Sequence, residues 1–369
     1  MRICILSAFF WPVLPLYYPY NMARALKESG HDVTVITVDS DVRGSPTMRP
    51  REDSFEGIKI IRCKNYLHIT EFVNLWFPKI SEEFDIIHCC GGYRHPYMFF
   101  GFLKKGKAKY VISTFYPMIE RKNPILKLLV SIIDKTIGKS LLINSDCCFA
   151  ETESEKKWLE EFGVKNIEII PNPVPEEIFK KKQGSLKKKY KIKGKMIFCL
   201  ANHTPIKNFE DLISASKDID ATIVIGGKES EYTKKCKELV SSIGVDNKII
   251  WAGYMDFEQK LDAYASCDLF VLPSKRESLG TVLLEAMAQK KPVISTNKGG
   301  VPDVVPDNYC LYEPGDVKTL SEKIGRILTD KKFSEKLSNK GFRKAREYSY
   351  TNVSKRYVKI MESLIHKDF

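Results

Sequence analysis

The sequence predicts an α/β chain built from two doubly wound parallel sheets. Two observations carry this. Strand-like apolar runs alternate with helix-length runs along the whole chain, and a lysine-rich stretch interrupts that alternation once, near the middle. The first series reads RICILSA as a strand, then NMARALKES as a helix, then DVTVITV, DIIHCC, YVISTF, CCFAE and IEIIP as further strands. FKKKQGSLKKKYKIKGK (179–195) follows. The second series is MIFCLA, ATIVIGG, KIIWAGY, DLFVLP and KPVIST, again separated by helix-length segments. Runs such as DLFVLP lack polar alternation, as expected of strands buried on both faces. From Lys331 onward the tail is helical in pattern, with Tyr350, Val353, Tyr357, Ile360 and Leu364 at three- and four-residue steps. The expected division is residues 1–172 and 195–345 as two Rossmann-like domains, 173–194 as a linker, and 346–369 as a C-terminal helix.

Composition narrows the class. The chain has 369 residues, enough for about two domains with real cores, and 43% hydrophobic with 28% charged residues excludes a disordered or fibrous protein. The formal charge of +13 favours anionic partners: nucleotide phosphates, nucleic acid or a lipid surface. Nucleic acid is disfavoured, because the basic stretch carries one aromatic, Tyr190, and no recognition module. Ten cysteines show no metal-ligand spacing and several lie in strand-like runs, so they read as buried free thiols in a reducing compartment, with no metal site. Residues 3–20 are uncharged, yet Pro12, Pro15 and Pro19 argue against a membrane-spanning helix there. A cytoplasmic protein, soluble or peripheral on the membrane, is expected.

The richest stretch is PSKRESLGTVLLEAMAQKKPVIST, 273–296. Ser278 and Gly280 supply a loop after the strand DLFVLP, and from Thr281 strong helix formers run to Lys290 and Lys291, where Pro292 stops them. In a parallel sheet that strand end and helix start face one crevice, where backbone N–H groups and the helix dipole favour phosphate. Glu277 stands at its mouth. Glu285 lies one turn into the helix, where a carboxylate accepts hydrogen bonds from a vicinal diol such as ribose.

With PS, SLG, LLEAMA, KPVIST and GGVPDVV in order around the two glutamates, the stretch resembles the donor signature of glycosyltransferase family 4 (group 1), retaining enzymes of the two-Rossmann-domain GT-B fold. The resemblance implies α/β domains facing across a cleft, with the C-terminal helix returning to the first. It implies that Glu285 binds the donor ribose, that Glu277 contacts sugar hydroxyls beside the reacting carbon, and that Ser278, Leu279, Gly280 and Thr281 form the diphosphate loop. Lys207, in ANHTPIKNF, takes the place of the family lysine on the diphosphate; Asn202 stands where the family has an arginine, removing one positive charge. Tyr254 matches the position that frames the nucleobase, and its alternative is a turn aromatic covering the core. Gly226 and Gly227 allow a tight turn or close backbone approach. Gly299 and Gly300 shape a turn beside the site.

The first domain departs more from the family. Val13 and Leu14 occupy the place of a glycine pair, Cys90 the place of a histidine that contacts the transferred sugar, and Phe115 that of another histidine, while His88 matches a strand-end histidine. Residues 124–142 form an amphipathic segment, with Lys127, Ser131, Asp134 and Lys135 on one face. Packing of its apolar face on the domain's own sheet is the expected arrangement. The alternative is a lipid interface, reached together with the basic 104–109 segment and a lipid-linked acceptor.

The implied reaction moves a sugar from a nucleoside-diphosphate sugar, a co-substrate rather than a cofactor, to an acceptor hydroxyl with retention, and without metal. Glycolipid or surface-polysaccharide synthesis is one setting. A sugar-nucleotide epimerase or phosphorylase on the same fold, and a donor-binding protein that has lost turnover, stand as alternatives. A dinucleotide oxidoreductase is disfavoured, since no Gly-x-Gly-x-x-Gly follows a strand.

Overall fold

The computed structural model describes residues 1–8, 10, 18–40, 50–70, 73–91, 94–115, 128, 131–180 and 182–366. It divides into two units, Met1–Pro173 with Tyr350–Phe369, and Val174–Ser349. Both are α/β, and the central strands of each sheet are buried almost throughout, as the unbroken apolar runs require.

The first unit holds β1 (Arg2–Ser7), β2 (Asp32–Val38), β3 (Glu52–Phe55), β4 (Ile58–Cys63), a separate hairpin of β5 (Leu67–Thr70) and β6 (Val73–Leu75), then β7 (Ile86–Cys90), β8 (Lys109–Ser113), β9 (Cys147–Ala150) and β10 (Ile167–Ile169). The sheet order is β10-β9-β8-β7-β1-β2-β4-β3, parallel except for β3 on β4. Pro19 falls in the first turn of helix Tyr18–Glu28, a position where its missing N–H costs nothing. Val13 and Leu14 lie outside the described residues.

The second unit holds β11 (Met196–Leu200), β12 (Thr222–Gly226), β13 (Ile249–Gly253), β14 (Leu269–Leu272), β15 (Val293–Thr296) and β16 (Leu311–Tyr312), all parallel in the order β13-β12-β11-β14-β15-β16. The expected linker does not stand apart. Val174 donates its N–H to Tyr348 O at 2.8 Å, and Val174, Ile178 and Leu186 are buried in this unit's core, so the sequence from Val174 belongs to it. The tail is two helices, Lys331–Glu347 in the second unit and Tyr350–His366 in the first. The second of these buries Val353, Tyr357 and Met361 in the first unit's core, the face its periodicity marks.

All ten cysteines are buried and free. The helix expected to run to Lys291 ends at Ala288; Lys290 is left-handed (φ 55°), and Lys291 instead donates to Ala265 O and Cys267 O, each at 2.8 Å, at the end of helix Phe257–Ser266. Lysine thus caps a neighbouring helix C-terminus rather than its own.

His88 is locked into the first unit's core. Its ring nitrogens lie 2.8 Å from Tyr357 Oη and 2.8 Å from Ser113 Oγ, and burial pushes its pKa down to about 3, so it stays neutral. Cys90, expected near the transferred sugar, is 2% exposed at the end of β7, and burial holds it as a thiol. Phe115 is left-handed (φ 40°) with its ring edge-on to Tyr18 at 4.9 Å.

Past the end of β9, Glu151 and Glu155 form a buried pair that the sequence did not flag. Glu155 accepts from Thr114 Oγ1 at 2.6 Å and from the Glu151 N–H at 2.7 Å. Burial, then the Glu155 charge, push the Glu151 carboxyl up to about 8, while an Asn172 backbone hydrogen bond pulls the other way.

Two consequences are measurable. Met361→Ala removes a fully buried side chain between the last helix and the first sheet, and should cost about 2–5 kcal/mol in urea unfolding of that unit; no loss would place the last helix elsewhere. Glu151 releases its proton near 4.5 when unfolded and near 8 when folded. Its contribution to stability is therefore full below the unfolded value and lost as pH rises through the folded one. Glu151→Gln should raise the melting temperature above wild type at about pH 9 and match it at about pH 4; a constant difference would contradict the assignment.

Candidate functional site

The second sheet has its topological switch between β11 and β14, since the chain runs from β11 to β13 on one side and from β14 to β16 on the other. Crevices form beside such points, outside the strands' C-terminal ends. The loops leaving β11 and β14 meet there. Lys275 N–H donates to Ile206 O at 2.8 Å, and the Lys207 ammonium reaches Glu277 Oε1 at 2.6 Å.

Three glycines make this approach possible. Gly299, past β15, has φ 64°, and a Cβ there would stand 2.1 Å from Glu277 O; its neighbour Gly300 donates its N–H to that same carbonyl at 2.9 Å. Gly280, with φ 73°, turns the chain into helix Thr281–Ala288, so the helix N-terminus opens directly beside Glu277. Leu279 anchors the loop in the core, while Ser278 and Thr281 stay half-buried on either side of it.

Lys207 and Glu277 are 22% and 13% exposed in their side chains, which makes their pairing stronger than a surface contact while leaving both reachable. An ammonium has three donors, so Lys207 keeps capacity for an anion while bonded to Glu277. Together with the helix dipole, the arrangement suits phosphate at one end and hydroxyls at the other.

Glu285 lies deeper, 1% exposed. Its Oε2 accepts from Tyr264 Oη at 2.6 Å and its Oε1 lies 3.5 Å from the Lys260 ammonium. The sequence reading missed both partners. Their four-residue spacing on helix Phe257–Ser266 was the available signal, because it puts them on one helix face.

On the other side of β11, Gly227 has φ 136° and donates its N–H to Gly253 O at 2.8 Å; a Cβ there would stand 1.8 Å from Ala201 O. Only glycine fits. Gly226 ends β12 against Met255. Tyr254 is 76% exposed, so it does not cover the core. Asn202 is exposed on the loop after β11 and places no charge there. The structure thus gathers Lys207, Glu277, Ser278, Gly280 and Thr281 around the switch, with Glu285 behind them and Gly226, Gly227 and Tyr254 on adjoining loops, whereas Cys90 belongs to the first unit.

In the first unit, the 124–142 segment is described at residue 128 and from residue 131. Asp134 forms a two-pronged pair with Arg94 (2.7 and 2.6 Å), which turns the polar edge inward. Leu128, Ile132, Ile133 and Ile137 are left exposed, whereas Leu141 and Leu142 at the segment's end pack into the first unit's core, so the expected packing on the sheet is met only there. In the 104–109 segment, Lys105 and Lys109 both face Asp146 at 3.8 Å. No helix among the described residues is long and apolar enough to cross a membrane.

Comparison with known proteins agrees with this geometry. The family model for glycosyl transferases group 1 matches residues 181–344, and that for glycosyltransferase family 4 matches residues 17–178. The chain is 30% identical to N-acetyl-alpha-D-glucosaminyl L-malate synthase of Bacillus anthracis over 195 residues, a match spanning 50% of this chain and 49% of that protein. It is 26% identical to an uncharacterized glycosyltransferase of Methanocaldococcus jannaschii over 92% of each chain. Anabaena HepE, solved in complex with UDP, superposes with a TM-score of 0.77 at 15% identity, over 98% of this chain and 100% of that one. Two matched halves, each with its own parallel sheet, and the E-x7-E loop at the second sheet's switch place the chain in the family 4 (group 1) glycosyltransferases of GT-B fold.

Proposed function

We propose that this glycosyltransferase moves a sugar from a nucleoside-diphosphate sugar to an acceptor hydroxyl with retention of configuration and without a metal. The observation that carries the reading is the Lys207–Glu277 pair at the switch point, beside the N-terminus that Gly280 opens. HepE supports it from outside, having been solved with UDP and with UDP-glucose.

In this reading the diphosphate lies against the Lys207 ammonium and the amides around Gly280 and Thr281, Glu277 holds sugar hydroxyls, Glu285 the ribose, and Tyr254, Gly226 and Gly227 border the base. The bond from the anomeric carbon to the β-phosphate oxygen breaks as the acceptor oxygen bonds on the same face. The departing phosphate oxygen takes the acceptor proton. Lys207 stabilises the charge that develops on that oxygen, and its contribution is largest where water is excluded. Asn202 offers hydrogen bonds without charge, so more of the stabilisation falls on Lys207 and the helix start.

The acceptor is proposed to be lipid-linked, at the cytoplasmic face of a membrane. The exposed Ile132, Ile133 and Ile137, flanked by Lys135 and Lys139 on a chain of charge +13, suit an anionic bilayer surface.

Screening UDP-, GDP- and ADP-sugars by thermal shift should show one nucleotide class raising the melting point, with the product anomer by NMR matching the donor's and turnover surviving EDTA. No shift with any of them would contradict the reading. Glu285→Ala should weaken nucleotide binding by about tenfold or more in calorimetry, as expected for losing hydrogen bonds to a charged group. Vesicles of phosphatidylglycerol and phosphatidylcholine should retain the wild type at low salt and lose an Ile132→Asp, Ile137→Asp variant by about tenfold; equal retention would remove the membrane contact.

A further inference from the structure

Glu285 is nearly inaccessible and already bonded at both oxygens, which is unusual for a group expected to take a ligand. The two bonds are unequal. Tyr264 Oη sits at 2.6 Å from Oε2, a short charge-assisted contact, whereas the Lys260 ammonium sits at 3.5 Å from Oε1. The two anchors also differ in mobility. Lys260 is a four-carbon stem with its side chain 16% exposed, but the Tyr264 ring is fully buried between Phe198 and Phe270, with centroids 5.4 and 5.5 Å away. Its hydroxyl is fixed in the core.

A carboxylate has about four acceptor positions. Tyr264 and Lys260 occupy one each, which leaves one on each oxygen, the number a cis-diol needs. The last side-chain torsion of glutamate is soft, so without Tyr264 the carboxylate is free to rotate toward the Lys260 ammonium. Burial and the Glu285 charge hold the Tyr264 phenol well above its ordinary range, so it remains a donor throughout the working pH range.

Building on the donor-site reading, we propose that Tyr264 is the positioning residue for ribose: by fixing Oε2 it leaves Glu285 one orientation in which both ring hydroxyls are accepted, and so makes the site select ribonucleotides over deoxy forms. Glu285 touches the ligand and Tyr264 acts through it. The discrimination follows from burial, because a dideoxy ligand would cover the remaining acceptor positions without satisfying them.

The test is calorimetry on the full chain with UDP, GDP, ADP and the 2′,3′-dideoxy form of each. Wild type should bind its preferred ribonucleotide at least about tenfold more tightly than the dideoxy form. Tyr264→Phe should lose about tenfold for the ribonucleotide and nothing for the dideoxy form, so that the gap closes. Glu285→Asp, which keeps the charge but withdraws it from the tyrosine, should close the same gap. Equal losses for both ligands would mark Tyr264 as merely structural, and an undiminished gap would overturn the inference while leaving donor binding intact. A wild type that binds none of the six would overturn the donor reading and this one with it.

Discussion

Everything at the second unit's switch point depends on how closely the loops after β11 and β15 approach the loop that carries Glu277. The loop after β15 donates the Gly300 N–H to its carbonyl, and only a glycine at 299 fits against that oxygen. The loop after β11 is tied in through Ile206 and ends in the Lys207–Glu277 pair. The loop after β14 then turns through left-handed Gly280 into its helix. Cation, carboxylate and helix N-terminus are thus held by backbone contacts, so little remains to be organised when an anion arrives. Preorganised charge of this kind is what transfer from a phosphate leaving group requires.

The two units contribute differently. In the second, polar side chains at the sheet's C-terminal edge are half-buried and retain donor or acceptor capacity. In the first, the residues that stand at family histidine positions are used for packing: His88 is neutral between Ser113 and Tyr357, Cys90 is a buried thiol, and Phe115 packs on Tyr18. The last helix supplies Tyr357 to that arrangement, so the chain's C-terminal segment helps fix the polar interior of the first unit.

Much of this was legible in the sequence because burial and periodicity leave direct traces. Apolar runs marked β1, β2 and β7 to β15, and the E-x7-E loop between a strand and a helix marked the switch. The strands that went unread, β3, β4 and the β5–β6 hairpin, are short and mixed in polarity, so they lack a clear period; β16 has two residues. The start of the second unit is hard to read because a lysine-rich stretch resembles a linker, although Val174, Ile178 and Leu186 in and before it are buried in that unit's core. In the described part of the 124–142 segment, Leu141 and Leu142 face the core as expected but Ile132, Ile133 and Ile137 do not, and the Arg94–Asp134 pair there joins residues forty apart, which no local pattern shows. The Glu151–Glu155 pair was illegible because its burial, and the Thr114 hydroxyl that bonds Glu155, come from tertiary contact, whereas Tyr264 left a trace in its spacing from Lys260.

In the proposed reaction the Lys207 ammonium, held by Glu277, receives the donor's diphosphate. A 31P NMR titration of the nucleoside diphosphate against wild type and Lys207→Met tests it at the atom concerned. The β-phosphorus resonance should shift with wild type and stay near its free position with the variant while the α-phosphorus still responds. Equal β-phosphorus shifts with both proteins would contradict it.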